Sequence, residues 1–290
     1  MQRHACSGRA YFCTGRRRDT LSGMTIAILG AGKIGEALLA GLIYGGFDPA
    51  DLMFTERYPT RAAQLTEQYG VRGVEVAEAG ATADVIIVAV KPQDIDAVLA
   101  DLRANVTGKT LVVSLCAGLP TALYERNLPD GTPVVRVMPN TPMLVGEAMS
   151  AISPGTHATD EHLQIVEDLL LTVGKVVRVP ENQQDAVTAL SGSGPAYFFF
   201  LVEAMIDAGI LLGLPRTVAA ELIIQSAVGS AKMLRESGEH PVALREAVTS
   251  PGGTTIAAIR ELEVHGVRAA FLAAIEAAQL RSAELGKAHQ

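Results

Sequence analysis

The chain has 290 residues, with 24 Lys and Arg against 31 Asp and Glu for a net charge of −7, 49% apolar residues and only 4% aromatics. That length suits two domains, and that much apolar side chain excludes a disordered chain. The negative balance argues against a nucleic-acid-binding surface, and the scarcity of aromatic rings argues against stacking platforms for bases or sugars.

Residues 1–23 differ in composition from the rest. They hold Arg3, Arg9, Arg16, Arg17 and Arg18 against the single acid Asp19, and two of the three cysteines, Cys6 and Cys13. The apolar core of a secretory signal is absent. The segment reads as an upstream extension ahead of a second start at Met24, with a mitochondrial transit peptide as the alternative. Either way it is expected to be disordered and outside the fold. Cys116 is then the single thiol of the folded part, which points to a reducing compartment, here the cytoplasm. The best uncharged apolar run, Ala196–Val202, falls short of the roughly 18 residues that span a bilayer, so no membrane partner is expected. The histidines His4, His157, His162, His240, His265 and His289 are scattered, and no metal site is expected.

From Met24 short β-branched runs alternate with helical patterns, the mark of βαβ units and a parallel sheet. Strands are predicted at Thr25–Leu29, Leu52–Thr55, Val85–Val90, Thr110–Leu115 and Val134–Met138, with shorter ones at Met149–Ile152 and Val176–Val179. Helices are predicted at Ile34–Tyr44, Thr60–Tyr69, Asp94–Arg103 and Glu161–Val173. Runs such as Val85–Val90 are apolar on both faces, as suits strands covered by helices on each side. After Pro180 the pattern becomes long Ala/Leu/Ile-rich helices punctuated by Pro195, Pro215, Pro241 and Pro251. The expected architecture is an α/β Rossmann-type sheet domain over 24–180, followed by an all-helical domain over 181–290.

The first strand runs into Gly30-Ala31-Gly32-Lys33-Ile34-Gly35 and then a helix, with Glu56 closing the second strand. That is the full context of a dinucleotide fingerprint. Gly30 permits the tight turn, Gly32 lets the backbone approach a pyrophosphate, and Gly35 allows close helix–strand packing. The phosphates would sit on the unpaired N–H groups of the helix N-terminus. Glu56 would accept hydrogen bonds from a ribose 2′-hydroxyl, whereas Arg57 and Arg61 would clasp a 2′-phosphate. Two cations beside one carboxylate favour NADP(H), with NAD(H) as the alternative. Ala89-Val90-Lys91-Pro92 and Cys116-Ala117-Gly118 close two further strands, at the carboxyl ends where ligands bind in open α/β sheets. Taken alone, Lys91 also suits a solvent-facing turn.

Two dense motifs sit in the helical half. Ser191-Gly-Ser-Gly-Pro-Ala196 reads as a small-residue loop capping an apolar helix. Thr249-Ser250-Pro-Gly252-Gly253-Thr254-Thr255 reads as a glycine nest opening the helix Ile256–Val264. It offers consecutive N–H groups, the hydroxyls of Ser250, Thr254 and Thr255 and the positive end of a helix dipole, which suit a substrate carboxylate.

Five motifs together, Gly30–Gly35, Ala89–Gln93, Arg136-Val-Met-Pro-Asn-Thr-Pro142, Ser191–Ala196 and Ser250-Pro-Gly-Gly-Thr-Thr255, closely resemble pyrroline-5-carboxylate reductase. The resemblance runs in order from Met24 to about Glu284. It implies hydride transfer from NAD(P)H to the C=N bond of 1-pyrroline-5-carboxylate, giving L-proline. By that resemblance Gly252, Gly253, Thr254 and Thr255 hold the substrate carboxylate. Thr255 bonds the ring nitrogen and is the leading catalytic candidate, with Ser250 second. Lys91, Pro92, Cys116, Ala117 and Gly118 line the cofactor. The family also implies an interlocked helical homodimer with the active site at the subunit contact, and rings of dimers beyond it. Three rival readings stand beside this one. One is reduction of a related cyclic imine. Another is a β-hydroxyacid dehydrogenase, disfavoured because Pro195–Val202 carries no lysine to act as base. The third is a catalytically silent NADP(H)-binding protein.

Overall fold

The computed structural model describes residue 21 and residues 23–287. The expected disorder of the N-terminal segment therefore falls almost wholly outside the described residues. Of the two residues in it that are described, Leu21 is buried in the core. The chain divides into two compact units, one running to Gln184 and regaining the residues from Leu285, the other spanning Asp185–Glu284.

The first unit is built on β1 (Ile26–Leu29), α1 (Lys33–Tyr44), β2 (Leu52–Thr55), α2 (Pro59–Tyr69), β3 (Arg72–Gly73), α3 (Val76–Thr82) and β4 (Val85–Val88). It continues through α4 (Ile95–Arg103), β5 (Leu111–Ser114), α5 (Thr121–Asn127), β6 (Val134–Met138), β7 (Ala148–Pro154), α6 (Asp160–Leu170) and β8 (Gly174–Arg178). The eight strands form one sheet in the order β3-β2-β1-β4-β5-β6-β7-β8. Successive strand residues face opposite sides, so apolar runs need cover on both faces. Ile26 and Ile28 pack with Leu38, Leu39 and Leu42 of α1 and with Leu163, Val166 and Leu169 of α6. Ala27 and Leu29 face the other way, toward Ala79 of α3, Leu99 and Leu102 of α4, and Leu123 and Tyr124 of α5. Each buried Leu, Ile or Val stabilises the unit by roughly 1.5–3 kcal/mol.

The sheet corrects the wholly parallel expectation at one place. β6 pairs antiparallel with β7, and β8 then runs parallel to β7. The connecting segment 139–147 is shorter than the roughly dozen residues a parallel crossover needs. It folds instead into a 3-10 turn, Thr141–Val145, and sends the chain straight back. The two-residue edge strand β3 was also not foreseen, being too short to show a period.

In the second unit, α7 (Gln184–Val187) runs through a π-helical turn at Thr188–Gly192 into α8 (Gly194–Leu211). Next come α9 (Arg216–Ser237), α10 (Pro241–Ala247), α11 (Thr254–Val264) and α12 (Val267–Lys287). The loop expected at Ser191–Ala196 is therefore helical: Ser193 N–H donates to the Thr188 carbonyl at 2.8 Å, the wider spacing of a π turn. No strand occurs among the described residues of this unit.

These helices bury little within one chain. α8, α10 and α11 have no buried residue, and Phe199, Phe200 and Leu211 are 65%, 73% and 87% exposed. Apolar surface on this scale marks a face that another surface covers. The helical run Glu181–Leu211 is also long and apolar enough to cross a membrane by length and composition. It is not an uncharged run, because the helix continues through Glu203 and Asp207.

Candidate active site

Strand register brings the expected cofactor loops to one level. Leu29 at the end of β1 pairs with Thr55 of β2 and with Val88 of β4, and Val88 pairs with Ser114 of β5. The segments that follow (Gly30–Gly35, Glu56–Arg57, Ala89–Pro92 and Cys116–Gly118) thus leave the same edge of four adjacent parallel strands. The strand order turns at β1/β4, which makes this the crevice where open α/β sheets take ligands.

Hydrogen bonds tie the segments together. Gly30 and Ala31 N–H donate to the Thr55 carbonyl at 3.2 and 3.1 Å, and Ala89 N–H donates to the Leu29 carbonyl at 2.8 Å. Gly30 has φ +95, and a Cβ there would lie 3.0 Å from the Ala89 carbonyl group, so only glycine makes this turn. At Gly35 a Cβ would overlap the Gly30 carbonyl oxygen, which sets how closely α1 approaches β1.

Gly32 is different. Its backbone is in an ordinary extended conformation, and a Cβ would meet nothing within 4 Å. Protein packing does not require glycine there; a ligand lying flush on the backbone would. Gly32 also N-caps α1 with no side chain bonding the first turn. The N–H groups of Lys33, Ile34 and Gly35 therefore lack intrahelical partners and face an open cradle, which fits a pyrophosphate.

The neighbouring side chains sort as follows. Arg57 is exposed, lies 5.1 Å from the Tyr58 ring centroid and donates to the Tyr58 hydroxyl at 3.1 Å. Glu56 accepts the Tyr58 N–H at 3.0 Å. Arg61, expected beside Arg57 on a 2′-phosphate, is held by Glu36 of α1, which also accepts the Tyr69 hydroxyl at 3.2 Å. The first turn of α2 puts Arg61 opposite that carboxylate, so the expected pair of cations reduces to Arg57. Lys91 is exposed, with no ion pair or hydrogen-bonded side-chain partner among the described residues, and Ala117 is exposed too. Cys116 is buried, and its thiol donates to the Val90 carbonyl at 3.3 Å. Its side chain thus belongs to the core rather than lining the crevice. Burial pushes that thiol's pKa up and leaves it neutral.

Arg136 serves the fold. It is buried and reaches Glu181 at 3.4 Å, while the Glu181 carboxylate accepts the Thr121 N–H and hydroxyl, each at 2.8 Å. His162 and His240 accept backbone N–H groups at the starts of α6 and α10. No group of three or more His, Cys, Asp or Glu placed to hold a metal ion occurs among the described residues.

The nest lies in the helical unit and has the expected form. Gly252 has φ +67, Gly253 N–H donates to the Ser250 carbonyl at 3.1 Å, and Gly253 caps α11 without any side-chain bond. A Cβ on Gly253 would strike Ser250 Oγ. Thr254 and Thr255 are the first residues of the helix, two residues earlier than the predicted start, with Thr255 half-buried and Ser250 and Thr254 exposed. Uncapped N–H groups and hydroxyls at a helix N-terminus can hold a carboxylate.

Residues 181–285 match the family described as pyrroline-5-carboxylate reductase dimerisation, and residues 25–118 match NADP oxidoreductase coenzyme F420-dependent. The chain is 47% identical over 267 residues to a pyrroline-5-carboxylate reductase of Corynebacterium melassecola, covering 91% of this chain and 99% of the relative. The chain belongs to the pyrroline-5-carboxylate reductase family. Solved members superpose on it. The Coxiella burnetii enzyme does so with TM-score 0.85 and 36% identity, covering 90% of this chain and 98% of that one. The Plasmodium falciparum enzyme, with NADP bound, gives TM-score 0.82 and 28% identity, covering 91% and 98%. Membership sets aside the hydroxyacid dehydrogenase and silent-binder readings.

Proposed function

We propose that the chain reduces the C=N bond of 1-pyrroline-5-carboxylate to L-proline, with NADP(H) preferred and NAD(H) accepted. The observation that carries the cofactor half is the cradle at Gly32, open to a ligand and backed by the uncapped N-terminus of α1. Lys33, Ile34 and Gly35 N–H groups would hold the pyrophosphate, Arg57 a 2′-phosphate, and Ala89–Pro92 with Ala117 and Gly118 the nicotinamide end. When bound, that group supplies a hydride.

The chain's own part is to bind, orient and manage one proton. Gly252, Gly253 and Thr254 present N–H groups to the substrate carboxylate, which fixes the ring. Thr255 holds a proton at the ring nitrogen. As the imine carbon gains the hydride, the π pair settles on that nitrogen. A cyclic imine is basic enough to arrive protonated, so orientation outweighs acid strength, and no buried catalytic acid is needed. Ser250 supports Thr255 by setting the nest.

We assign residues 24–180 to cofactor binding and 181–290 to substrate binding and dimerisation, in a cytoplasmic homodimer with rings of dimers beyond it and no nucleic-acid, membrane or metal partner. The apolar faces of α8 and α9 support the dimer, because a second copy would cover them. Label transfer tests the reaction. NADPH deuterated at its transferable hydrogen should deliver one deuterium to the proline carbon that was the imine carbon; proline without label contradicts it.

A further inference from the structure

A run of hydrogen bonds beneath the loops that follow β4 and β5 joins three elements. Ser114, the last residue of β5, donates its hydroxyl to the Tyr124 oxygen of α5 at 2.6 Å. The same Ser114 oxygen accepts the Cys116 N–H at 3.3 Å. The Cys116 thiol in turn donates to the Val90 carbonyl at 3.3 Å and lies 3.7 Å from the Val88 carbonyl. Ser114 and Tyr124 are wholly buried in an otherwise apolar cluster. Burial holds the Tyr124 phenol well above its ordinary pKa and raises the Cys116 thiol, so both groups keep their protons at neutral pH.

Burying two hydroxyls in an apolar cluster is unfavourable unless they bond each other, and an Ala–Phe pair would fill similar space without that requirement. The hydroxyl pair must therefore be judged by what it holds. It fixes the direction of the Cys116 N–H, which aims the thiol at Val90. Val90 and Cys116 immediately precede Lys91-Pro92 and Ala117-Gly118.

We infer that Ser114 and Tyr124 are positioning residues of the cofactor site. Acting through Cys116, they set the spacing between the Ala89–Pro92 and Cys116–Gly118 loops. The inference rests on the proposed function, which is what places the nicotinamide against those two loops.

The test uses full-length Tyr124→Phe, Ser114→Ala and the double variant, with thermal midpoint, NADPH dissociation constant and steady-state kinetics measured on each. Each single variant should weaken NADPH binding and raise its KM about threefold to tenfold, with the KM for the imine within about twofold. The double should be no worse than the worse single, because one bond serves both residues. A purely structural role would lower the thermal midpoint and leave NADPH affinity untouched well below it; that result overturns the inference, as would additive effects in the double. If Tyr124→Phe does not fold, Ser114→Ala decides alone. If the wild-type protein binds NADPH but never oxidises it, the reaction assignment fails, and the dissociation constants still decide this inference. If the wild-type protein binds no NADPH, both fall.

Discussion

Substituting alanine at two glycines of the same fingerprint should have opposite consequences. At Gly35 the new Cβ meets the Gly30 carbonyl oxygen, and Ile28 Cγ2 lies 3.2 Å away. A backbone oxygen cannot rotate aside, so α1 must lift from β1. Overpacking of this kind costs about 1–3 kcal/mol, against about 1 kcal/mol gained from alanine's helix propensity. The thermal midpoint should fall by up to about 8 °C, with NADPH affinity falling as the turn deforms. At Gly32 nothing lies within 4 Å of the new Cβ. Losing glycine at an N-cap costs a little, and stiffening the unfolded chain offsets it, so stability should stay within about 0.5 kcal/mol. The methyl group would nevertheless stand where the pyrophosphate approaches the backbone. Each N–H bond lost to a charged oxygen is worth about 1.5–3 kcal/mol, so NADPH affinity should drop about tenfold to a hundredfold. Differential scanning calorimetry with NADPH fluorescence titration separates the two effects. Wild-type NADPH affinity in Gly32→Ala would refute the claim that this cradle is kept open for a phosphate.

Thr255→Ala should lower turnover at least about tenfold while NADPH binding stays within about twofold; unchanged turnover removes Thr255 from the mechanism. Arg57→Ala should raise the KM for NADPH about tenfold and that for NADH by less than about twofold, whereas Arg61→Ala, already paired with Glu36, should discriminate far less. Equal effects of Arg57→Ala on the two cofactors would dismiss the 2′-phosphate assignment. Burial raises the pKa of both Cys116 and Tyr124. Groups raised in this way stabilise the fold fully below their unfolded pKa values, about 8.5 and 10, and lose that contribution as pH climbs toward the folded ones. The thermal midpoint should therefore decline as pH rises past about 8.5, and a flat profile to about pH 11 would contradict the neutral buried network.

The fingerprint could be read from the sequence because its demands are local. A strand end, three glycines and a helix start carry their own reasons, and the structure adds that Gly32 alone faces open space. The starts of α1, α2, α4 and α6 were legible for the same reason, each within one residue, whereas the short helices α3 and α5 were not. Contacts between distant residues were not. Nothing near Arg61 in sequence announces Glu36, 25 positions away, as its partner. The inward turn of Cys116 depends on carbonyls at the end of β4 and in the loop after it, 26 to 28 positions earlier. Ser114, closing an otherwise apolar strand, was the signal for the buried network, yet Tyr124 as its acceptor emerges only once α5 packs on the sheet. The direction of β7 followed from the length of 139–147, a cue that strand-by-strand periodicity does not contain. The π turn before α8 is invisible to a reading that treats Gly and Pro as loop formers.

The central claim is the reaction itself. Steady-state loss of NADPH absorbance with 1-pyrroline-5-carboxylate at neutral pH, with proline quantified as product and NADH run in parallel, tests it most directly. The account predicts one proline formed per NADPH oxidised and faster turnover with NADPH than with NADH. Folded protein that oxidises neither cofactor on this imine would contradict it.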